Sequence, residues 1–299
     1  MDRLALCGTC VALAVLVATS TGDLKAFANQ TSRAPLVLFD QAHFNEQRFD
    51  KNYAVFREVL DGDGMKVVES TVPFTRESLR PAQILVVANA LGVKDPKDWF
   101  ILPTPAAFTA DEVQAVVDWV GEGGSLLLIV DHVPFPGANA NLAAAFGFKF
   151  SNGGAVEEPP NPAVTGMPFT RAANTLKDHA ITRGRTDGER IDSVATMSGC
   201  AFQSPEQAEP LLVFASGVVS LEPLGNLGPN NAPPEIRRVP VGGWHQAAAL
   251  EIGQGRVVVF GEAGMFSRRR EGVVPGFGID AAQNRQLLLN VVHWLLRRL

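Results

Sequence analysis

The sequence predicts an α/β fold, a mostly parallel sheet flanked by helices, with an irregular insertion. Three observations carry this. Short apolar runs recur at 36–39 (LVLF), 84–88 (ILVVA) and 126–130 (LLLIV). They are continuous rather than alternating, as in strands buried on both faces. Between them lie segments with apolar residues at helical spacing. The runs also stop abruptly at polar residues: Asp40, Asn89, Asp131 and, after a later run at 256–260, Glu262. In open parallel sheets, ligands bind in the crevice beyond the carboxyl ends of the strands, so these exits are the candidate site.

Along the chain, the first strand at 36–39 is followed by a helix over 52–60, with Tyr53, Phe56, Val59 and Leu60 on one face and Gly62 and Gly64 ending it. A second strand is expected at 65–68. Thr75 reads as the cap of a short helix, with Ser78 where a capping box has an acid. After the strand at 84–88, residues 93–107 form a surface excursion. Thr109 caps the next helix, whose first-turn acids Asp111 and Glu112 suit the helix dipole. Its buried stripe is read as Val113, Val116, Val117 and Val120. The strand at 126–130 leads through a Pro/Gly-rich loop to an Ala-rich helix.

The character changes after Phe150. Residues 151–168 and 217–240 are rich in Gly, Pro and Asn and show little periodicity, and 176–185 is a polar segment. Strands are expected at 193–202 and 211–215. The span 151–241 is read as an elaboration on the sheet, not a second domain. Order returns with a hairpin, 246–251 and 256–260, around Gly253-Gln254-Gly255. A terminal helix over 281–299 presents Leu287, Leu288, Val291, Val292 and Leu295.

The first residues carry a different signal. Residues 4–18 are apolar but shorter than the roughly 20 residues of a bilayer span. Ala26-Phe27-Ala28 offers a small-x-small cleavage site, so 1–28 reads as a signal peptide and 34–299 as the domain. The expected localisation is therefore exported, periplasmic or extracellular, with membrane attachment only through an uncleaved N-terminus. Two of the three cysteines, Cys7 and Cys10, fall inside that segment, and only Cys200 remains in the domain. No internal disulfide is then possible. The net charge of -5, with Arg268-Arg269-Arg270 as the longest cationic run, excludes nucleic acid as an expected partner.

If the strands ending at Asp40, Asn89, Asp131 and Glu262 are parallel neighbours, these residues meet on one edge. His43 follows Asp40 closely, and His132 adjoins Asp131. The candidate ligand-binding set is Asp40, His43, Asn89, Asp131, His132 and Glu262. Three carboxylates and two imidazoles among them (Asp40, His43, Asp131, His132 and Glu262) have the chemistry of divalent-cation ligands or of an acid–base pair. The competing reading makes Asp40 and Asp131 caps of the following turns. Cys200 reads as a small buried hydrophobe. His179 reads as a turn residue, His245 as either crevice-lining or packing, and His293 as a helix-packing residue. Neither a Walker A pattern nor G-x-G-x-x-G occurs, so no cofactor is implied by motif.

Four blocks, FDQAHFN, AFTADEVQAVVDWVGEGGSLLLIVDH, GRVVVFGEAGMF and QNRQLLLNVVHWLL, resemble an exported family of unknown function whose domain is like the class I glutamine amidotransferases. The resemblance spans most of 35–299 and implies a flavodoxin-like sheet. Amidotransferases carry a nucleophilic Cys on a G-x-C-x-G elbow and a late His-x-Glu. Here the strand exit reads Val130-Asp131-His132-Val133-Pro134, and no His-x-Glu follows. The scaffold is expected without the glutaminase chemistry. Two functional readings remain: a ligand-binding or scaffold domain for a small molecule or carbohydrate, or a hydrolase, metal-dependent in one version, using the Asp/His/Glu edge.

Overall fold

The computed structural model of the chain describes residues 34–94, 101–159, 166–226, 234–268 and 277–299. The expected signal segment 1–28, Arg269 and Arg270, and parts of the expected excursions at 93–107, 151–168 and 217–240, lie outside the described residues. Residues 35–299 form one compact unit.

Strands β1 (Leu36–Asp40), β2 (Lys66–Ser70), β3 (Ile84–Ala88) and β4 (Ser125–Ile129) are parallel, in the order β2-β1-β3-β4. The chain then makes β5 (Lys149–Phe150), β6 (Gly154–Glu157), β7 (Met167–Thr170), β8 (Ser193–Thr196), β9 (Phe202–Gln203), β10 (Glu209–Val213), β11 (Val218–Pro223) and β12 (Ile236–Pro240). It returns to the main sheet with β13 (His245–Ile252) and β14 (Gly255–Phe260). β14 lies parallel beside β4, and β13 pairs antiparallel with β14. All the strands whose exits carry the candidate residues are therefore parallel neighbours, β1-β3-β4-β14. The fold is flavodoxin-like α/β.

Side chains alternate across this sheet into two apolar layers, because successive residues of a strand face opposite ways. Val37, Phe39, Val86, Leu127, Ile129, Val258 and Phe260 pack under the helices Ala54–Gly62 and Asn284–Leu295. Leu38, Leu85, Val87, Leu126, Leu128, Val257 and Val259 pack under Ala110–Gly121 and Ala140–Ala145. This is why the strand sequences are unbroken apolar runs. The helix Ala110–Gly121 is rolled relative to expectation: Glu112, Val116, Trp119 and Val120 are buried, while Val113 and Val117 are half-buried. Trp119 takes the inward place because Gly124 leaves room for its ring; a Cβ there would lie 2.3 Å from Trp119 Cε2.

The insertion is more regular than its sequence. β6, β11 and β12 form a three-stranded antiparallel sheet, β7 and β8 form a ribbon, and β9 and β10 join the main sheet. The periodicity of β11 was hidden because its buried face is polar. Ser220 and Glu222 point inward, and Val219 and Leu221 are half-buried. Ser151 hydrogen-bonds to both inward groups, and Arg237 Nε donates to Glu222 at 3.0 Å. A buried strand face made of hydrogen-bonded polar groups leaves no apolar alternation to read.

Candidate functional site

The chain reverses direction in the sheet between β1 and β3, since β2 lies on one side of β1 and β3 on the other. That switch point opens at the carboxyl ends of the strands. The predicted residues do assemble along this edge, but in two groups.

The first group is Asp40, His43 and Asn45, with Glu112 from the neighbouring helix. His43 Nδ1 lies 2.9 Å from Asp40 Oδ1, and its Nε2 lies 2.8 Å from Glu112 Oε1. Asn45 Nδ2 donates to Asp40 Oδ2 at 3.0 Å. The ring of His43 is enclosed by Phe74 and Phe108, with both centroids 4.7 Å away. Burial pushes the His43 pKa down, but the hydrogen bonds and charges of Asp40 and Glu112 outweigh it, so the imidazole titrates above its ordinary 6.5. With a carboxylate at each nitrogen, the doubly protonated ring satisfies both. This group is a buried cross-link between the β1 exit and the helix Ala110–Gly121, and it faces little solvent.

The second group is Asp131 and Glu262. Asp131 accepts from the backbone N–H of His132 at 2.7 Å and of Ala263 at 3.3 Å. Glu262 accepts from Gly264 at 2.7 Å, Ser198 at 3.1 Å and Met197 at 3.2 Å. Burial, and then the charge of Asp131, push Glu262 up to about 8 against those three N–H groups. Tyr53 Oη, donating to Ala263 O at 2.7 Å, is driven upward by burial and by the charges of Asp131, Glu46 and Glu262. The insertion is what buries Glu262: Met197 and Ser198 lie on its carboxylate, Cys200 N donates to Gly261 O at 2.7 Å, and Ala155 N donates to Gly199 O at 2.9 Å. The β4–β14 half of the crevice is thus filled by the protein itself.

On the β1–β3–β4 half, Phe44 and His132 reach the surface. Asn89, buried at the β3 exit with φ 47, accepts from Asp131 N at 2.9 Å and donates from its side chain to Glu46 Oε2 at 3.2 Å. His132 has a side chain 51% exposed, its Nδ1 2.9 Å from Val133 O. Phe44 stands between buried His43 and Asn45 with φ 50, and the residue is 49% exposed. A bulky residue in the left-handed region is a genuine outlier. Its neighbours impose it: His43 N donates to Asn45 Oδ1 at 3.2 Å, Leu91 N to His43 O at 2.8 Å, and Glu46 N to Asn89 O at 3.0 Å.

Among the described residues, no three His, Cys, Asp or Glu side chains are arranged to hold a metal ion. The five residues with cation-ligand chemistry are split: Asp40 is bonded to His43 and His43 to Glu112, Asp131 accepts from the His132 and Ala263 N–H groups, Glu262 is held by backbone donors, and His132 faces solvent. Cys200 is fully buried, with Sγ 3.3 Å from Val130 O, and burial drives its thiol pKa well up. It is no thiolate nucleophile. His179 caps the helix Ala180–Arg183, and His293 pairs with Asp63 at 2.6 Å. His245 Nδ1 lies 2.7 Å from Ser204 Oγ.

Sequence reasoning missed Glu112, Tyr53 and Phe44. Glu112 was readable: it precedes Val116 and Val120 at helical spacing and so lies on the buried stripe. Nothing local marked Tyr53, whose partner Ala263 is far away in the chain, or the backbone geometry of Phe44.

No family model matches this chain, and no curated protein matches it in sequence. Solved structures match it in fold. The mmIFT52 N-terminal domain is similar at 15% identity, with a TM-score of 0.60 over 87% of this chain and 96% of that one. Cytoplasmic protein STM3548 from Salmonella typhimurium is similar at 15% identity, with a TM-score of 0.52 over 87% and 98% of the two chains. A ThuA-like protein from Bacteroides uniformis aligns at 15% identity, TM-score 0.45, over 88% and 93%. At these identities the first two likenesses show the fold and nothing of the activity.

Proposed function

We propose that the protein is an exported, non-glutaminase domain that binds a small hydroxylic ligand of the carbohydrate class at the β1–β3–β4 half of the strand-end edge. The observation that carries this is Phe44, an exposed phenyl held in a left-handed conformation at the switch point. Such strain persists only where the surroundings impose it, and it concentrates at ligand sites. On the same strand-end edge, the exposed His132 imidazole and the partly exposed Asp131 carboxylate are groups suited to hydroxyls. An aromatic face beside planar hydrogen-bonding groups suits a sugar ring, with one apolar face and a polar rim.

The hydrolase reading draws less support. Glu262, raised to about 8 beside Asp131, has the pattern of a general acid paired with a carboxylate. Yet it is only 2% exposed and is occupied by backbone donors, Met197 and Ser198 from the insertion and Gly264 beside it. The glutaminase reading has no nucleophile to rest on.

The test is calorimetric titration with methyl glucoside and related neutral sugars. Phe44→Gly and Asp131→Asn should each weaken binding at least tenfold. Phe44→Gly relieves the backbone strain, so its fold should be as stable as the parent or more so. Undiminished binding in both variants would place the ligand elsewhere. Export rests on the apolar N-terminus and Ala26-Phe27-Ala28. Mass spectrometry of protein from its native host should find a mature start near Asn29, and a full-length cytoplasmic chain would refute it.

A further inference from the structure

Next to this edge lies a groove of different chemistry. It has a cavity volume of about 210 Å³ and is walled by Leu102, Val133, Leu221, Pro223, Pro234 and Ile236. Its lining is almost wholly carbon. Of the seven large apolar side chains that stand exposed among the described residues, three lie on or beside its walls: Ile101 at 38%, Leu224 at 51% and Ile236 at 43%. Exposed apolar residues gathered in a concavity mark a binding site more often than scattered ones do. The walls are braced from different parts of the chain. Leu102 N donates to Asn226 Oδ1 at 2.6 Å, Leu224 N to Glu235 O at 2.9 Å, and Val133 N to Gly153 O at 3.2 Å. The groove therefore exists before any ligand arrives.

Its position selects the occupant. Val133 directly follows Asp131 and His132, so the apolar wall begins where the polar edge ends. We propose that this groove receives the alkyl chain of an amphiphile whose hydroxylic head lies at Phe44, Asp131 and His132. The volume holds roughly six to eight methylene-sized groups, each close to a water molecule's share of space. The placement of the head rests on the reading above; the apolar groove does not.

Alkyl glucosides, from methyl to octyl and kept below their micelle concentrations, separate the two parts. Affinity measured by calorimetry should rise about fourfold per added methylene and then level off. Ile236→Asp and Leu221→Thr, at positions that are exposed and half-buried respectively, should abolish this length dependence. They should leave methyl glucoside affinity and the melting temperature near those of the parent. Equal affinity for methyl and octyl glucoside would overturn the groove while leaving the strand-end reading intact. Length dependence that survives in both variants would also overturn it. If methyl glucoside fails to bind but octyl glucoside binds through the groove, unaffected by Phe44→Gly, the groove stands and the head-site reading falls. If no glucoside of any length binds, the groove proposal falls too.

Discussion

Cys200 and Phe44 differ most in how their sequence relates to their setting. Cys200 was legible: a lone cysteine in an apolar stretch is a small hydrophobe, and it is fully buried against Val130. Cys200→Ala should cost about 1 kcal/mol, as other small core truncations do. Cys200→Ser should cost more, since it buries a hydroxyl among apolar groups. Neither should change ligand binding, and the native thiol should resist a maleimide until the protein is unfolded. Rapid labelling of the folded protein would contradict this account. Phe44, by contrast, lies in an ordinary-looking segment, Ala42 to Asn45. Its conformation follows from the partners of the residues on either side, one of which, Leu91, comes from another strand exit. Long-range constraint of this kind leaves no local pattern.

Among the elements, legibility followed apolar periodicity. β1, β3, β4, the β13–β14 hairpin and the terminal helix were readable because burial on one or both faces wrote itself into the residue types. β6, β11 and β12 were not, because Ser220 and Glu222 fill the inward positions of β11. Caps were also readable. Thr109 Oγ1 accepts from Glu112 N at 3.3 Å, and Glu112 Oε2 accepts from Thr109 N at 3.0 Å. The same Glu112 holds His43 through its other oxygen, so one carboxylate starts a helix and anchors the β1 exit. Thr109→Ala should therefore cost about 1 kcal/mol, the ordinary loss for a helix cap. Glu112→Ala should cost more, because it also leaves a buried imidazole with one partner fewer. A double-mutant cycle with His43→Gln measures that excess. If Glu112→Ala costs no more than Thr109→Ala in urea unfolding, the cross-link is not holding the loop.

At the scale of the whole molecule, these groups sum into a pH profile. His43 titrates above 6.5 in the fold, so its stabilisation is complete below 6.5 and disappears as pH rises through the folded value. Glu262 is raised from 4.5 to about 8. The fold keeps it protonated where the unfolded chain ionises it, so stability declines across that whole window. His179 and His245 are both lowered, first by burial. Their effect is a gain as pH climbs to 6.5, and it is spent above that. Glu112 is lowered, and its contribution is lost only on acidification below 4.5. Between pH 6.5 and about 8, His43 and Glu262 therefore act with one sign, and unfolding free energy should fall by on the order of 1–2 kcal/mol. Urea denaturation at the two pH values measures it. Glu262→Gln should remove most of the slope, and His43→Gln much of what remains. A slope unchanged in Glu262→Gln would mean that Glu262 is already ionised in the fold. In that case the insertion would shield Asp131 and Glu262 from each other instead of sealing them together, and the filled half of the crevice would have to be open to water.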